Sequence, residues 1–316
     1  MLPLLNKMLL RKALRPDARA GIALADGSFA LAVVRRSGEG KPSIEHCAVH
    51  AASGDAAPAL KALLDKLRVG RAPVCAVIGG DDYQIVQVEA PDVLPAEMRA
   101  AIRWRLRDVI NFSVDEAVVD VFETPDPVRR TQGKMLFAVA ARDAAIQRIS
   151  STARSAAKGF DSIDIPELCL RNLSALLPQD HKGVAMLALN ERFAQLVTTR
   201  QGVMYLTRRI DTARFGHDSR NGATIDAAAL ALEIQRSLDY YESHYDQTPI
   251  GDLVLAPAAA HAHDLAQELK NETSLRVSVL NVGEIFNVPS GGDDLVTDWP
   301  TLMALGAALR DDKVDP

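Results

Sequence analysis

Apolar residues along the chain change their spacing repeatedly, and each change marks an element. Gly21–Leu24 and Phe29–Arg35 are apolar runs separated by Asp26 and Gly27, the pattern of a hairpin with a tight turn. A third strand is predicted at Ser43–Val49. Over Ala57–Leu67 the period lengthens, and Leu60, Leu63, Leu64 and Leu67 share one helical face. Val74–Ile78 and Tyr83–Val88 read as strands on either side of Gly79 and Gly80. Pro95–Asn111 reads as a helix with Pro95 in its first turn and a stripe of Met98, Ala101, Ile102, Arg105 and Val109. There follow a strand over Ala117–Phe122, a Pro-rich turn at Thr124–Val128, a strand over Lys134–Ala140 and a helix over Asp143–Lys158. A strand and a helix within Ser162–Leu177 finish this half.

The pattern then restarts. Strands are predicted at Val184–Asn190, Phe193–Thr199 and, after a turn at Gln201 and Gly202, Val203–Ile210. Thr212–Ala223 reads as a loop, and Ile225–Tyr245 as a long helix with Leu230, Ile234, Leu238 and Tyr241 inward. Leu253–Ala256, a helix over His261–Asn271, Val277–Leu280, a Gly-rich loop at Ser290–Asp294 and a last helix over Pro300–Arg310 complete it. The β-β-β-α-β order appears twice. That is the half-unit of ribonuclease-H-like and actin-like domains, so the fold class expected is α/β, a duplicated two-domain actin-like fold around a cleft. The expected domains are 21–180 and 181–299, the second with a helical insertion at about 212–248, and a C-terminal helix (300–316) that returns to the first.

Composition narrows the function. The chain has 316 residues, 48% of them hydrophobic and 24% charged, with a net charge of −5. That balance fits a globular protein of two domains and argues against a general nucleic-acid binder, which needs a basic field. The 3 cysteines, Cys47, Cys75 and Cys169, are widely spaced in apolar stretches and read as buried, reduced thiols. No apolar run reaches the ~18 residues of a membrane span. Residues 1–20 combine Leu4, Leu5, Met8, Leu9 and Leu14 with Lys7, Arg11, Lys12 and Arg15. A foot on an anionic membrane, a partner-docking segment and a frayed terminus all fit this pattern.

Chemical motifs are sparse. G-x-x-x-x-G-K-[ST], G-x-G-x-x-G and H-E-x-x-H are absent. His46 and His50 would share one face of a strand while Cys47 faces away, so a surface strand is a better reading than a metal site. His261 and His263 diverge on a helix. The pairs Asp81-Asp82 and Asp293-Asp294 read as turn formers, and Gly79-Gly80 and Gly291-Gly292 as tight turns.

One stretch carries a resemblance. Glu97, Ala101, Ile102, Arg103 and Trp104, then Ile110 and Phe112, then Asp115 and Glu116, resemble the E-x-x-x-A-I-R-W…I-x-F…D-E pattern of the PilM family of type IV pilus proteins. Glu233–Tyr241 and Leu302–Arg310 agree with the same family, and the similarity runs from about Ala20 to Arg310. The resemblance implies an actin-like fold with an FtsA/PilM-like inserted subdomain at about 85–142. It also implies a cytoplasmic location at the inner-membrane face and a bitopic pilus-assembly partner of the PilN or MshJ kind, held by its cytoplasmic tail. Arg99, Arg103, Trp104 and Arg107 lie on the helix of that subdomain and are the partner-binding candidates, although a stripe of core packing is the simpler reading of the opposite face.

The family's nucleotide chemistry transfers poorly. Its first phosphate loop has the form D-x-G-S-x-x-x-K; here Ala23 or Ala25 takes the acid position, and Ala30 or Ala32 the lysine position. The second loop, D-x-G, reads Ala188, Leu189, Asn190, and the adenosine-side Gly-Gly reads Ala256, Pro257, Ala258. Loss of both acids removes the Mg²⁺ anchors of a bound triphosphate. The expectation is therefore a non-catalytic scaffold with no cofactor and no resident metal. The alternative is an ATP-binding switch that uses Asp26, Gly27, Ser28 and Asn190.

Overall fold

The computed structural model describes residues 17–311 apart from 37, 39, 53, 70–71, 126–132, 191, 216–224, 257–261 and 289–297. Strands β1 (Ala18–Ala25) and β2 (Ser28–Arg35) pair antiparallel from Ala18↔Arg35 to Ala25↔Ser28. Asp26 and Gly27 make the turn between them, and Gly27 adopts φ +70°, open to glycine without a Cβ clash. Strand β3 (Ser43–Ala51) extends the antiparallel side, while β4 (Val74–Val77) and β8 (Phe160–Asp164) extend the other side in parallel. The order is β3-β2-β1-β4-β8. The second sheet repeats it as β11-β10-β9-β12-β13, from β9 (Val184–Leu189), β10 (Phe193–Arg200), β11 (Val203–Asp211), β12 (Asp252–Ala256) and β13 (Arg276–Val279). The duplication read from the hydrophobic pattern is present strand for strand.

Among the described residues the helices are α1 (Ala57–Lys66), α2 (Met98–Leu106), α3 (Asp143–Ala156), α4 (Pro166–Ser174), α5 (Ala227–Tyr245), α6 (Ala262–Glu272), α7 (Val282–Ile285) and α8 (Trp299–Ala308). None is long and apolar enough to cross a membrane. By compactness the chain divides into 1–78 with 148–177 and 281–316, and 79–147 with 178–280. Residues 79–147, which span the insertion expected within the first domain, group instead with 178–280.

In the first unit Ile22, Phe29, Leu31 and Val33 pack on Leu60 and Leu64 of α1. Helix α8 lies on β1, with every residue from Thr301 to Ala308 buried. Its approach requires glycine: a Cβ on Gly21 would sit 1.9 Å from the Ala304 carbonyl oxygen, and one on Gly306 would sit 2.4 Å from that of Cys169. Asp298 caps α8 by accepting from the Thr301 amide at 2.9 Å. Cys47, Cys75 and Cys169 are free and buried. Burial pushes the thiols of Cys47 and Cys75 up to about 12.

In the second unit a three-stranded antiparallel sheet, ordered β5-β7-β6, is built from β5 (Tyr83–Glu89), β6 (Ala117–Glu123) and β7 (Met135–Arg142). Helix α2 packs Ile102 and Leu106, with Ile110 beyond it, on Leu136, Ala138 and Ala140. The helix is shorter than its pattern predicts. A 3-10 turn (Pro95–Glu97) precedes it, and after Leu106 the chain tightens into turns, with the amides of Arg107 and Val109 bonding to the carbonyls of Trp104 and Leu106. The buried positions are 102, 106 and 110, so Val109, expected inward, is 53% exposed. Arg105, also placed on that stripe, instead reaches the Glu89 carbonyl at 2.7 Å. In the five-stranded half of this unit, α5 lays Leu230, Ile234, Leu238 and Tyr241 on the sheet, as its spacing predicts.

Candidate functional site

Because α2 turns Ile102 and Leu106 inward, its arginines and its indole project away from the core. Trp104 is 69% exposed. The Arg107 guanidinium lies 4.9 Å from the Trp104 ring centroid. Arg99 donates to Asp120 of β6 at 2.9 Å. Arg103 is used differently: it donates to the carbonyls of Ala117 at 3.0 Å and Asp115 at 3.1 Å, and so ties the helix to the start of β6. The structure thus places Arg99, Trp104 and Arg107 at the surface and commits Arg103 to backbone. Strand β6 is at the edge of its sheet, pairing only with β7 among the described strands. On that edge the Val121 amide is met by its neighbour's carboxylate, Asp120 Oδ1, at 3.0 Å.

The positions weighed for nucleotide lie in two hairpin turns. Asp26 and Gly27 are exposed at the β1–β2 turn, Ser28 is half-buried, and the Gly27 carbonyl accepts from the Ala52 amide at 2.9 Å. Ala23, Ala30 and Ala32 are buried in the sheet. Asn190 closes the β9–β10 turn: its amide donates to the Phe193 carbonyl at 2.8 Å and its Oδ1 accepts from the Arg192 amide at 3.3 Å. Pro257, Ala258, His261, Asp293, Asp294 and the basic candidates Lys7, Arg11, Lys12 and Arg15 lie outside the described residues. Among the described residues no cluster of three or more His, Cys, Asp and Glu side chains could hold a metal ion.

A third constellation is not legible in the local pattern. Asp81, read from sequence as a turn former, accepts from Arg192 at 2.6 Å through Oδ2 and from Arg209 at 3.1 Å through Oδ1. Arg209 also donates to the Gly80 carbonyl at 2.7 Å. Its guanidinium stacks on the Phe193 ring, 3.8 Å from the centroid. Arg192, Phe193, Arg209 and Asp211 line a cleft of about 430 Å³. The hydrogen bond from Arg192, helped by Arg209 and opposed by partial burial, holds the Asp81 carboxyl below its ordinary value. The usable sequence signal was the alternation on paired strands: Phe193 stands opposite Asp211 and Gln195 opposite Arg209, so Phe193 and Arg209 are diagonal neighbours.

No protein-family model matches the sequence, and no curated protein matches it. Solved structures do match. A chain described as the PilM-PilN type IV pilus biogenesis complex aligns with a TM-score of 0.67 at 19% identity, over 94% of this chain and 99% of that one. The cytoplasmic domain of EpsL, an inner-membrane component of the type II secretion system of Vibrio cholerae, aligns at 0.49 and 11% identity, over 93% and 96% of the two chains. A Bacteroides thetaiotaomicron protein with an actin-like ATPase fold and unknown function aligns at 0.49 and 9% identity, over 84% and 91%. The repeated sheet order and the match along nearly the whole chain lead to one conclusion: this protein has the actin-like fold, in the form also seen in the PilM–PilN structure.

Proposed function

We propose that this protein is a non-catalytic scaffold of a type IV pilus or related secretion machine, and that its α2 face docks the cytoplasmic tail of a bitopic, PilN-like protein. The observation that carries the reading is Trp104, a solvent-facing indole braced by Arg107 on a helix that Arg99 and Arg103 tie to β6, a strand at the sheet's edge among the described strands. Tryptophan and arginine dominate interface energetics, and a large exposed indole has little to do in a helix that already buries Ile102 and Leu106. An extended tail running along β6 would find backbone partners at Val119 and apolar contact at Trp104. The likeness of fold to the PilM–PilN structure supports the choice of partner. Within that class the three sequence stretches look most like MshI of the mannose-sensitive haemagglutinin pilus, which makes an MshJ-like protein the partner assigned and the cytoplasmic face of the inner membrane the site of action. The scaffold role rests on the alanines at both phosphate-loop acid positions.

The test is a calorimetric titration of the purified chain with a synthetic peptide of the tail. Trp104→Ala should weaken binding by about 1–3 kcal/mol. Unchanged affinity would remove the α2 face from the site.

A further inference from the structure

Asp81 is the resident anion of an arginine pair that faces an open cleft. Its own side chain is 62% exposed, and that of Arg192 is 72% exposed. Ion pairs this open to water hold weakly, so the carboxylate can leave without a large penalty. Arg209 is different. The Phe193 ring beneath its guanidinium and the Gly80 carbonyl at one end fix its plane before any ligand arrives. A preset guanidinium fork beside a second, more exposed one suits a tetrahedral oxyanion, because each can present N–H donors to different oxygens of it.

We propose that Arg192 and Arg209 form a binding site for a phosphate group, in which the chain's own Asp81 lies as an exchangeable internal ligand. Charge selects the phosphate. Among the described residues of the cluster, Arg192 and Arg209 are balanced by Asp81 and Asp211; with Asp81 withdrawn, these residues carry one net positive charge. A tethered carboxylate competes at an effective concentration in the millimolar range, so a free monocarboxylate has no advantage over it. A phosphate brings a second charge and a third acceptor oxygen. The cleft of about 430 Å³ has ample room for it. Exchange would free the Asp81 side chain from Arg192 in the β9–β10 turn and from Arg209 of β11, while the Gly80 carbonyl keeps its bond to Arg209. The neighbouring bonds, Asp82 amide to Gly79 carbonyl at 3.1 Å and Arg142 amide to Asp82 carbonyl at 2.8 Å, would keep the start of β5 in place. Inorganic phosphate and the phosphates of a nucleotide share this chemistry. The site needs no Mg²⁺ and is independent of the docking face on α2.

The experiment is calorimetry at low salt with inorganic phosphate, pyrophosphate and Mg²⁺-free ATP, on the full chain and on Asp81→Asn, Arg192→Gln and Arg209→Gln. Asp81→Asn should bind pyrophosphate about tenfold tighter than the unaltered chain, since it removes the competitor. Arg192→Gln, an exposed change with little reason to disturb folding, should abolish the binding, and thermal melts check that it folds. ATP tighter than pyrophosphate would mark a nucleotide as the source, and equal affinities phosphate itself. Equal affinity of Asp81→Asn and the unaltered chain would overturn the proposal. So would binding that survives in Arg192→Gln, because it would place the anion elsewhere, as on the basic residues near the N-terminus.

Discussion

The imidazoles of His46 and His50 meet nitrogen to nitrogen, Nε2 to Nε2, at 2.9 Å. Their centroids are 5.1 Å apart and their planes 19° from parallel, so the rings face head-on across Ala48, and one Nε2–H donates to the lone pair of the other. His50 also stacks on Phe29 of the core, centroid to centroid at 5.4 Å. Two facing nitrogens cannot both carry protons. Burial first, then His46's neighbour His50 and the ammonium of Lys66 on α1, hold His46 below its ordinary value; burial and Lys66 do the same for His50. A histidine whose folded value is lowered contributes stability that is complete above its unfolded value of about 6.5 and is lost as pH falls below it. The urea midpoint of the unaltered chain should therefore drop between pH 7.5 and pH 5.5 by more than that of His46→Gln/His50→Gln. Equal drops would remove the pair as the cause.

Arg310 stands 3.3 Å from the buried carboxylate of Asp164. Burial raises Asp164 above the usual carboxylate range, and the leading opposing influence is Arg310. A carboxyl with a raised folded value stabilises the fold in its protonated form, and that contribution is lost as pH rises through the folded value. Arg310→Met should cost about 3 kcal/mol at pH 8, where the buried carboxylate loses its ion-pair partner and keeps only the weaker influence of Arg171, and clearly less at pH 5. Urea denaturation at the two pH values measures it. The same cost at both would assign Arg310 to packing alone.

Trp104 and Arg103 should separate binding from stability. Trp104→Ala removes an exposed side chain and should leave the melting point nearly unchanged. Arg103→Ala removes two bonds to the Ala117 and Asp115 carbonyls and should cost about 1–2 kcal/mol in a denaturation series. A large drop in melting point for Trp104→Ala would show the indole to be part of the core instead.

By the resemblance to the PilM family, the acid positions that would orient the waters of Mg²⁺ are Ala23 or Ala25 in one hairpin and Ala188 in the other, so Mg²⁺ should not tighten any binding of ATP. Titration with Mg²⁺-ATP should give an affinity weaker than ~10 μM, equivalent to about 7 kcal/mol. A tighter value that depends on Mg²⁺ would establish the nucleotide-switch reading over the scaffold.

Local pattern sees only a few residues at a time, and that limit divides what was legible from what was not. Alternation and turn chemistry were enough for the hairpin across Asp26 and Gly27, the inward stripe of α5 and the twofold β-β-β-α-β order, since each depends on neighbours within one or two turns of chain. These features carry the fold. The end of α2 was another matter: whether Val109 or Ile110 faces the sheet depends on where Leu136 and Ala138 stand, and Ile110 is the residue that packs on them. Packing likewise turned Arg103 from a surface cation into a tie for β6. Asp81 meets Arg192 and Arg209 from 111 and 128 residues away, and no spacing rule reaches that far. Sequence by itself determined the strands, the repeat and the alanines at 23, 25 and 188; which arginines remain at the surface and which carboxylate they hold was decided by tertiary packing, because a long side chain takes its partner from whatever the folded backbone brings within its reach.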